Sequence, residues 1–453
     1  MKSIGIDIGT TTICGILFDD ETNTILETKT LSNNSTVPSH HSYETLQDPL
    51  KILSICNEIL SNFYDHYTSI GSIGVTGQMH GILYIDAEGN PTTPLYTWQD
   101  QRGNLPYVDH MTYTEYIHHK TNEIVATGFG MVTYFYHHTH NLIPKTSTTF
   151  CTIPDFIAMK LARQTAPLLH KSMAASLGLY LLTKQQFNQN AIENLNLNSS
   201  FLPLVSQHEC ILGTTTTGIP VSIALGDNQA SFFGSVDQKS NLLVNVGTGS
   251  QISIFCEQLP PKSPLEPRPY IGNTYLLTGS SLCGGYAYSL LKNFLEETLQ
   301  AFGQTTTNSL YEQMNQLASS AYYESNKLIV DTRFSGTRHN PLLTGSITNI
   351  TPSTFHPKHL ILGTLQGICN ELYEYYQHSK VSTNNTSFVG SGNGIRKNPL
   401  LQQIFSDTFQ MDLKIPMYSE EAAFGSALFS IYCAKNFTSF HKIQEYIRYK
   451  KFL

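Results

Sequence analysis

The chain has 453 residues, a formal net charge of −7, 40% hydrophobic and 13% charged residues. At about 150 residues per domain this predicts two or three domains with sizeable cores, and the apolar content excludes intrinsic disorder. With 27 basic against 34 acidic residues, nothing in the overall charge favours nucleic acid, and a charged fraction near half the usual ~25% implies a surface of hydroxyls and amides rather than ions.

Residues 3–8 read as a strand and 13–18 as its hairpin partner across the Gly-Thr turn at 9–12, with a third strand at 25–30. Asp7 interrupts what would be the apolar core of a signal peptide, so no export signal is expected. A tip of Gly9, Thr10, Thr11 and Thr12 can aim N–H and O–H donors at phosphate oxygens, and an acid beside it suits Mg²⁺ or its water. An ordinary hairpin with incidental threonines fits the same residues.

Apolar spacing near 3.6 over 46–63 predicts an amphipathic helix, and 72–76 a short strand ending in Gly77. Strand, hairpin, helix, strand is the order of a mixed α/β domain. Gln78, Met79 and His80 follow that strand, and Trp98, Asp100 and Arg102 lie in TWQDQR (97–102). Amide, imidazole, indole, carboxylate and guanidinium together suit a polyhydroxylated ligand, which needs many hydrogen bonds and one flat face. A buried Trp above a structural Asp100–Arg102 pair is the alternative. His137, His138 and His140 have no partner acid or Cys nearby and do not share a helix face, so no metal role is assigned to them.

Residues 223–231 end an apolar strand in Gly226-Asp227-Asn228. An Asp at a strand's carboxyl end can take the proton of an attacking hydroxyl, or it can cap the helix that follows. The hairpin pattern then recurs: strand 242–246, tip Gly247-Thr248-Gly249-Ser250, returning strand 251–256. One architectural unit used twice predicts two related α/β domains with a boundary near 230–240, each tip taking one end of a triphosphate. Five prolines make 260–269 an irregular loop by this reading.

Near the carboxyl end, 388–394 runs from an apolar strand into Gly390, Ser391, Gly392 and Asn393, where glycine lets backbone approach a flat or charged ligand. The basic tail 435–453 has helical apolar spacing and reads as a final surface helix. No Walker-type loop, H-R-D or D-F-G occurs. Eight scattered cysteines without a CxxC suggest buried free thiols in a reducing cytosol, and no stretch approaches the ~20 apolar residues of a membrane span.

Taken in order, DIGTTT (7–12), GQMHG (77–81), GDNQAS (226–231), NVGTGS (245–250), GSGNG (390–394) and EEAAFGSAL (420–428) resemble the FGGY family of carbohydrate kinases, in the actin/hexokinase/Hsp70 superfamily. TWQDQR, TGFG (127–130), IPDFIAMKL (153–161), SLCGGYAYSLL (281–291) and FSGTRHNP (334–341) are similar to its sedoheptulose-phosphorylating branch, whereas GQMHG is shared with xylulose kinases. The resemblance implies two RNase H-like domains, 1–236 and 237–453, with ATP and sugar in the cleft between them. It implies Asp227 as catalytic base, and Gln78, Met79, His80, Trp98, Asp100, Arg102 and Asn228 at the sugar. Asp7, Gly9–Thr12 and Gly247–Ser250 would serve the phosphates, with Asp7 holding Mg²⁺ through water, and Gly390–Asn393 would border the adenosine. The family's adenosine loop often reads Gly-Gly-Gly-Ala, from which Gly-Ser-Gly-Asn departs. Expected partners are ATP and a small sugar, with no nucleic acid and no membrane, in a cytoplasmic monomer or homodimer. A non-catalytic sugar sensor and an actin- or Hsp70-like ATPase are the rivals; both phosphate loops and Asp227 count against the first, and GQMHG with the Trp98 loop against the second.

Overall fold

A computed structural model describes residues 1–453 except 238–239, 261–262, 305–308, 338–339, 341, 382–386, 438 and 451–453. The chain divides into two compact units. The first comprises Met1–Gly234, Arg268–Thr274 and Glu420–Tyr446; the second comprises Ser235–Pro267, Tyr275–Ser419 and Ile447–Leu453.

In the first unit β1 (Lys2–Ile8), β2 (Thr12–Asp19) and β3 (Thr24–Ser32) form an antiparallel meander. The strand β4 (Ile70–Gly77) lies parallel to β1, followed outward by β6 (Pro220–Ser222) and β5 (Ile211–Thr214), with β7 (Leu225–Gly226) also on β4. The order is β5-β6-β4-β1-β2-β3. The alternating Ile4, Ile6 and Ile8 are fully buried, as are Ile52, Ile59 and Phe63 of the helix Pro49–His66. That helix begins three residues later than the apolar spacing predicts. Asp48 caps it by accepting from Leu50 N (2.9 Å) and Lys51 N (3.2 Å), worth ~1 kcal/mol, and Pro49 fills the first turn. Leu46 counted toward the helical pattern because it is apolar, but its burial comes from pairing with Tyr96 in a small sheet.

The helix Glu421–Ala434, far along the chain, packs on β1 and β4 and on the short helix Asp227–Phe233. Its backbone comes so close that a Cβ on Gly425 would stand 1.8 Å from the Ala230 carbonyl oxygen, so only glycine is accommodated there.

The second unit repeats the topology. Its hairpin β8 (Leu242–Val246) and β9 (Ser250–Cys256) is flanked by β11 (Tyr275–Ser281) and the edge strand β10 (Glu266–Pro269), of which Glu266 and Pro267 belong to this unit, on one side, and by parallel β12 (Ser387–Ser391) and β13 (Asp412–Lys414) on the other. Thus β11-β9-β8-β12-β13 matches β3-β2-β1-β4-β6, two related α/β sheets as the repeated hairpin predicts. The helix Pro357–Ser379 supplies Ile361, Leu365, Ile368 and Leu372 to its core.

Two sequence expectations need correction. The proline-rich segment is not irregular throughout, because Glu266–Pro269 is a strand at the sheet edge, where a missing N–H costs no ladder bond; Pro261 lies outside the described residues. The tail is not one helix: among its described residues only His441–Gln444 is helical, and Tyr449 instead bridges to Pro416 in extended form.

Candidate active site

The first tip is fixed from behind by side chains. Asn33 Nδ2 donates to the Gly9 carbonyl (2.8 Å), Gln47 Nε2 to the Thr10 carbonyl (3.0 Å), and Asn33 N to the Thr11 carbonyl (2.8 Å). The Trp98 indole N–H donates to Thr10 Oγ1 at 3.0 Å. With its carbonyls occupied, the tip presents the exposed Thr11 and Thr12 to solvent.

Gln78 continues this network, donating through Nε2 to Gln47 Oε1 (2.8 Å), while its own buried Oε1 has no partner. Met79 is buried. His80 has φ +75°; its Nδ1 meets the Ser176 carbonyl at 2.7 Å and its ring stacks on Phe129 at 4.5 Å. Because a carbonyl only accepts, Nδ1 carries the proton and Nε2 is the acceptor of neutral His80.

The Trp98 loop resolves the two readings of its residues. Trp98 is 44% exposed, not buried. Asp100 and Arg102 are wholly buried and joined by Nε–Oδ1 (2.6 Å) and Nη2–Oδ2 (3.0 Å) bonds. Burial opposes the charge on Arg102, but the bonds and charge of Asp100 prevail and raise its proton affinity. Its guanidinium lies over the Tyr96 ring at 4.3 Å and donates to His137 Nε2. His137 is therefore neutral with its proton on Nδ1, facing Tyr84 Oη at 3.0 Å, and burial followed by the Arg102 charge lowers its pKa well below the ordinary value. The loop is held by Thr127 Oγ1 donating to the Asp100 carbonyl (3.0 Å) and by Gly128 (φ +80°), where a Cβ would stand 2.0 Å from the Trp98 carbonyl oxygen. Asp100 and Arg102 thus support the platform that exposes Trp98.

Asp227 is the first residue of its helix, not the cap: the cap position is Gly226, and no side-chain cap bond is made. Its Oδ1 accepts from Asn228 N at 2.6 Å. Burial raises its pKa, while the Arg268 charge and the Asn228 bond oppose the rise. Asp7 on β1 is pushed up to about 7, first by burial and then by the charges of Asp227, Glu420 and Glu421. The charges of Asp227, Glu420 and Glu421, all in the first unit, thus act on Asp7.

In the second unit the tip is fixed by backbone. Gly285 N donates to the Gly247 carbonyl (2.8 Å) and Tyr286 N to the Thr248 carbonyl (2.9 Å), both from the start of the helix Gly285–Ala301. Asn245 stands where β1 has Asp7, and its Nδ2 donates to Ser391 Oγ at 2.8 Å. Gly390 and Ser391 are buried in β12, so only Gly392 and Asn393, at the start of a short helix, reach the surface of the expected adenosine loop. In the FSGTRHNP segment, Arg338, His339 and Pro341 lie outside the described residues.

Sequence reasoning gave no role to Gln47, Phe129, Ser176 and Arg268; Phe129 lies in the TGFG segment, and the other three sit in no motif. Arg268 stands between two prolines in the segment read as irregular, and no signal marks it.

Among the described residues, no helix is long and apolar enough to cross a membrane, and no group of three or more His, Cys, Asp and Glu can hold a metal ion by itself. All eight cysteines are free.

Two family models match: the FGGY family of carbohydrate kinases, N-terminal domain, over residues 3–234, and the C-terminal domain over residues 242–434. The chain is 27% identical to a sedoheptulokinase of Mus musculus, covering 94% of this chain and 96% of the relative. It is 23% identical to a xylulose kinase of Staphylococcus xylosus, covering 98% and 93%. The crystal structure of a xylulose kinase from Rhodospirillum rubrum superposes with a TM-score of 0.85 at 18% identity, over 100% of this chain and 93% of that one.

Proposed function

The chain belongs to the FGGY family of carbohydrate kinases and is an ATP-dependent sugar kinase, and on that premise we propose that it phosphorylates a primary hydroxyl of a ketose, sedoheptulose before xylulose or ribulose. The observation that carries this reading is Asp227: an acid directly after β7, spared from capping, whose neighbour Gly226 pairs with Gly77 just ahead of Gln78, Met79 and His80. The preference for sedoheptulose draws support from the Mus musculus relative and from the TWQDQR and TGFG segments.

In this reading Asp227 accepts the proton of the attacking hydroxyl as the bond to the γ-phosphorus forms. Trp98 offers its exposed face to the C–H side of the sugar, and the Gln78 amide and His80 Nε2 supply polar partners. Asp100 and Arg102 act beneath it, holding the Trp98 loop. The tips Gly9–Thr12 and Gly247–Ser250 receive the phosphates, and Gly392 and Asn393 border the adenosine.

Asp7 is the group of the first unit that would hold a divalent cation: burial first, and then the charges of Asp227, Glu420 and Glu421, disfavour its carboxylate form, and a bound cation would favour it. Without a dedicated protein cage, Asp7 would hold Mg²⁺ through water, as this ion prefers, and the ion would neutralise phosphate charge. The eight free thiols support a reducing, cytoplasmic setting.

Coupled ADP release measured across sedoheptulose, xylulose, ribulose and fructose tests the substrate. The highest kcat/KM is expected for sedoheptulose. A preference for xylulose would replace the acceptor but keep the chemistry, while ADP release independent of every sugar would refute the ketose kinase reading.

A further inference from the structure

Asp227 and His80 follow two neighbouring strand ends of the first unit. Gly226 of β7 pairs with Gly77 of β4, and there the ladder stops. His80 and Asp227 both lie past those ends, so strand pairing does not set their spacing. A single short helix reaches both segments. In Lys171–Ser176, Ser172 and Ser176 stand one turn apart on the same face, about 6 Å along the axis.

Ser172 serves the Asp227 side. Gly226 N donates to Ser172 Oγ at 3.2 Å, which ties down the residue directly ahead of Asp227. The hydroxyl proton is then directed to His170 Nδ1 at 2.7 Å, a nitrogen that also accepts from Ser172 N at 3.2 Å. Because Nδ1 accepts, neutral His170 carries its proton on Nε2, facing Glu209 Oε1 at 3.4 Å. Burial lowers the His170 pKa against the opposing pull of Glu209, which keeps the ring neutral. Glu209 is itself held by Gly272 N (2.9 Å) and Lys171 (3.3 Å). The row Glu209, His170, Ser172, Gly226 is therefore hydrogen-bonded from end to end.

Ser176 serves the His80 side, twice over. His80 N donates to Ser176 Oγ (3.3 Å), and His80 Nδ1 donates to the Ser176 carbonyl. The Ser176 hydroxyl proton is spent on the Met173 carbonyl at 2.8 Å, leaving the oxygen as the acceptor His80 N needs. At φ +75° His80 occupies a region that a non-glycine residue keeps only where its surroundings hold it there. Both serines and His170 are buried.

On the kinase reading of Asp227 and His80, we infer that Ser172 and Ser176 are positioning residues: one turn of helix sets the spacing between the proton acceptor and the sugar-side histidine. Ser172 acts through Gly226 on the orientation of Asp227, and Ser176 acts through the backbone and ring of His80. The two serines therefore govern different kinetic parameters although they share one helix.

The test is steady-state kinetics of Ser172→Ala, Ser172→Thr, Ser176→Ala and the double variant Ser172→Ala/Ser176→Ala, alongside thermal melting. ATP and Mg²⁺ are supplied with whichever of sedoheptulose and xylulose the wild type turns over faster. Ser172→Ala should lower kcat about tenfold with the KM for sugar within about threefold, and Ser172→Thr, which keeps the hydroxyl, should restore kcat to within about threefold of wild type. Ser176→Ala should raise the KM for sugar about tenfold with kcat within about threefold, and the double variant should show both changes. Neither serine should move the KM for ATP more than about twofold. If both alanine variants moved the same parameter alike, or melted lower with kcat and KM within about twofold of wild type, the serines would be structural only and the inference overturned. Equal impairment of Ser172→Ala and Ser172→Thr at unchanged melting would overturn it as well. Should Ser172→Ala fail to fold, Ser172→Cys, close in size and a weak acceptor, replaces it in the comparison with Ser172→Thr. Full turnover in Asp227→Asn would defeat the kinase reading and the inference with it; a dead Asp227→Asn with both alanine variants normal would remove only the role of the serines.

Discussion

The tips of β1–β2 and β8–β9 share the Gly-Thr order and the same strand pairing, yet they are braced by different means and carry different charge. Side chains hold the first: Asn33, Gln47 and Trp98 reach it from three separate segments. Backbone N–H groups of Gly285 and Tyr286 hold the second. The acid Asp7 of the first becomes Asn245 in the second, where the amide is spent on Ser391. A duplicated hairpin has thus diverged into one tip that follows an acid and is wired to Gln47 and Trp98, and one neutral tip set on a helix start. On the proposed reading the difference teaches that the chemistry belongs to the first unit, while the second tip holds phosphate without reacting with it.

Asp7→Asn makes the first tip like the second and should have the largest effect of any change at the tips. Turnover should fall about 100-fold or more while sugar binding, followed by tryptophan fluorescence of Trp98, stays within a few fold. Equal losses in both would deny Asp7 its part in phosphate chemistry. Gly284→Ala strikes the other tip, since its Cβ would stand 2.5 Å from the Gly249 backbone. It should raise the KM for ATP about tenfold and leave the KM for sugar unchanged; the reverse pattern would dissociate this tip from the nucleotide.

The smallest effect concerns pH. The ordinary value for Asp7 is 3.8 and its folded value is about 7, so its contribution to stability is greatest below 3.8 and is lost as pH rises through 7. Without divalent cations, Asp7→Asn should melt a few degrees above wild type at pH 8 and no higher at pH 4. Asp227, also raised, works in the same direction in both proteins. A difference independent of pH would show that like charges do not crowd Asp7.

The hairpins, the duplicated order and the loops at strand ends were legible because each is written locally: alternating apolar residues, then Gly with small hydroxyls. What sequence left hidden is what the fold brings from a distance. Glu420 and Glu421 appear only as the start of a final helix, yet that helix packs on β1 and their charges act on Asp7. Gln47 sits just ahead of a helix cap and gives no sign that it braces a phosphate-type tip 37 residues away. Arg102 and Asp100 were readable as a pair, but their complete burial under an exposed Trp98 follows from Gly128 and Thr127 packing against the loop. Prolines 267 and 269 read as loop because Pro disfavours strands, and the edge position that permits them is a property of the sheet.

The most direct test of the account is phosphoryl transfer by Asp227→Asn, which keeps the side chain's shape and removes its basicity. ADP release with ATP, Mg²⁺ and the preferred ketose should fall about 1,000-fold or more, with ATP and sugar affinities within a few fold of wild type. Turnover near the wild-type rate would contradict the assignment of Asp227 as the base and, with it, the reading of the first unit as the seat of the reaction.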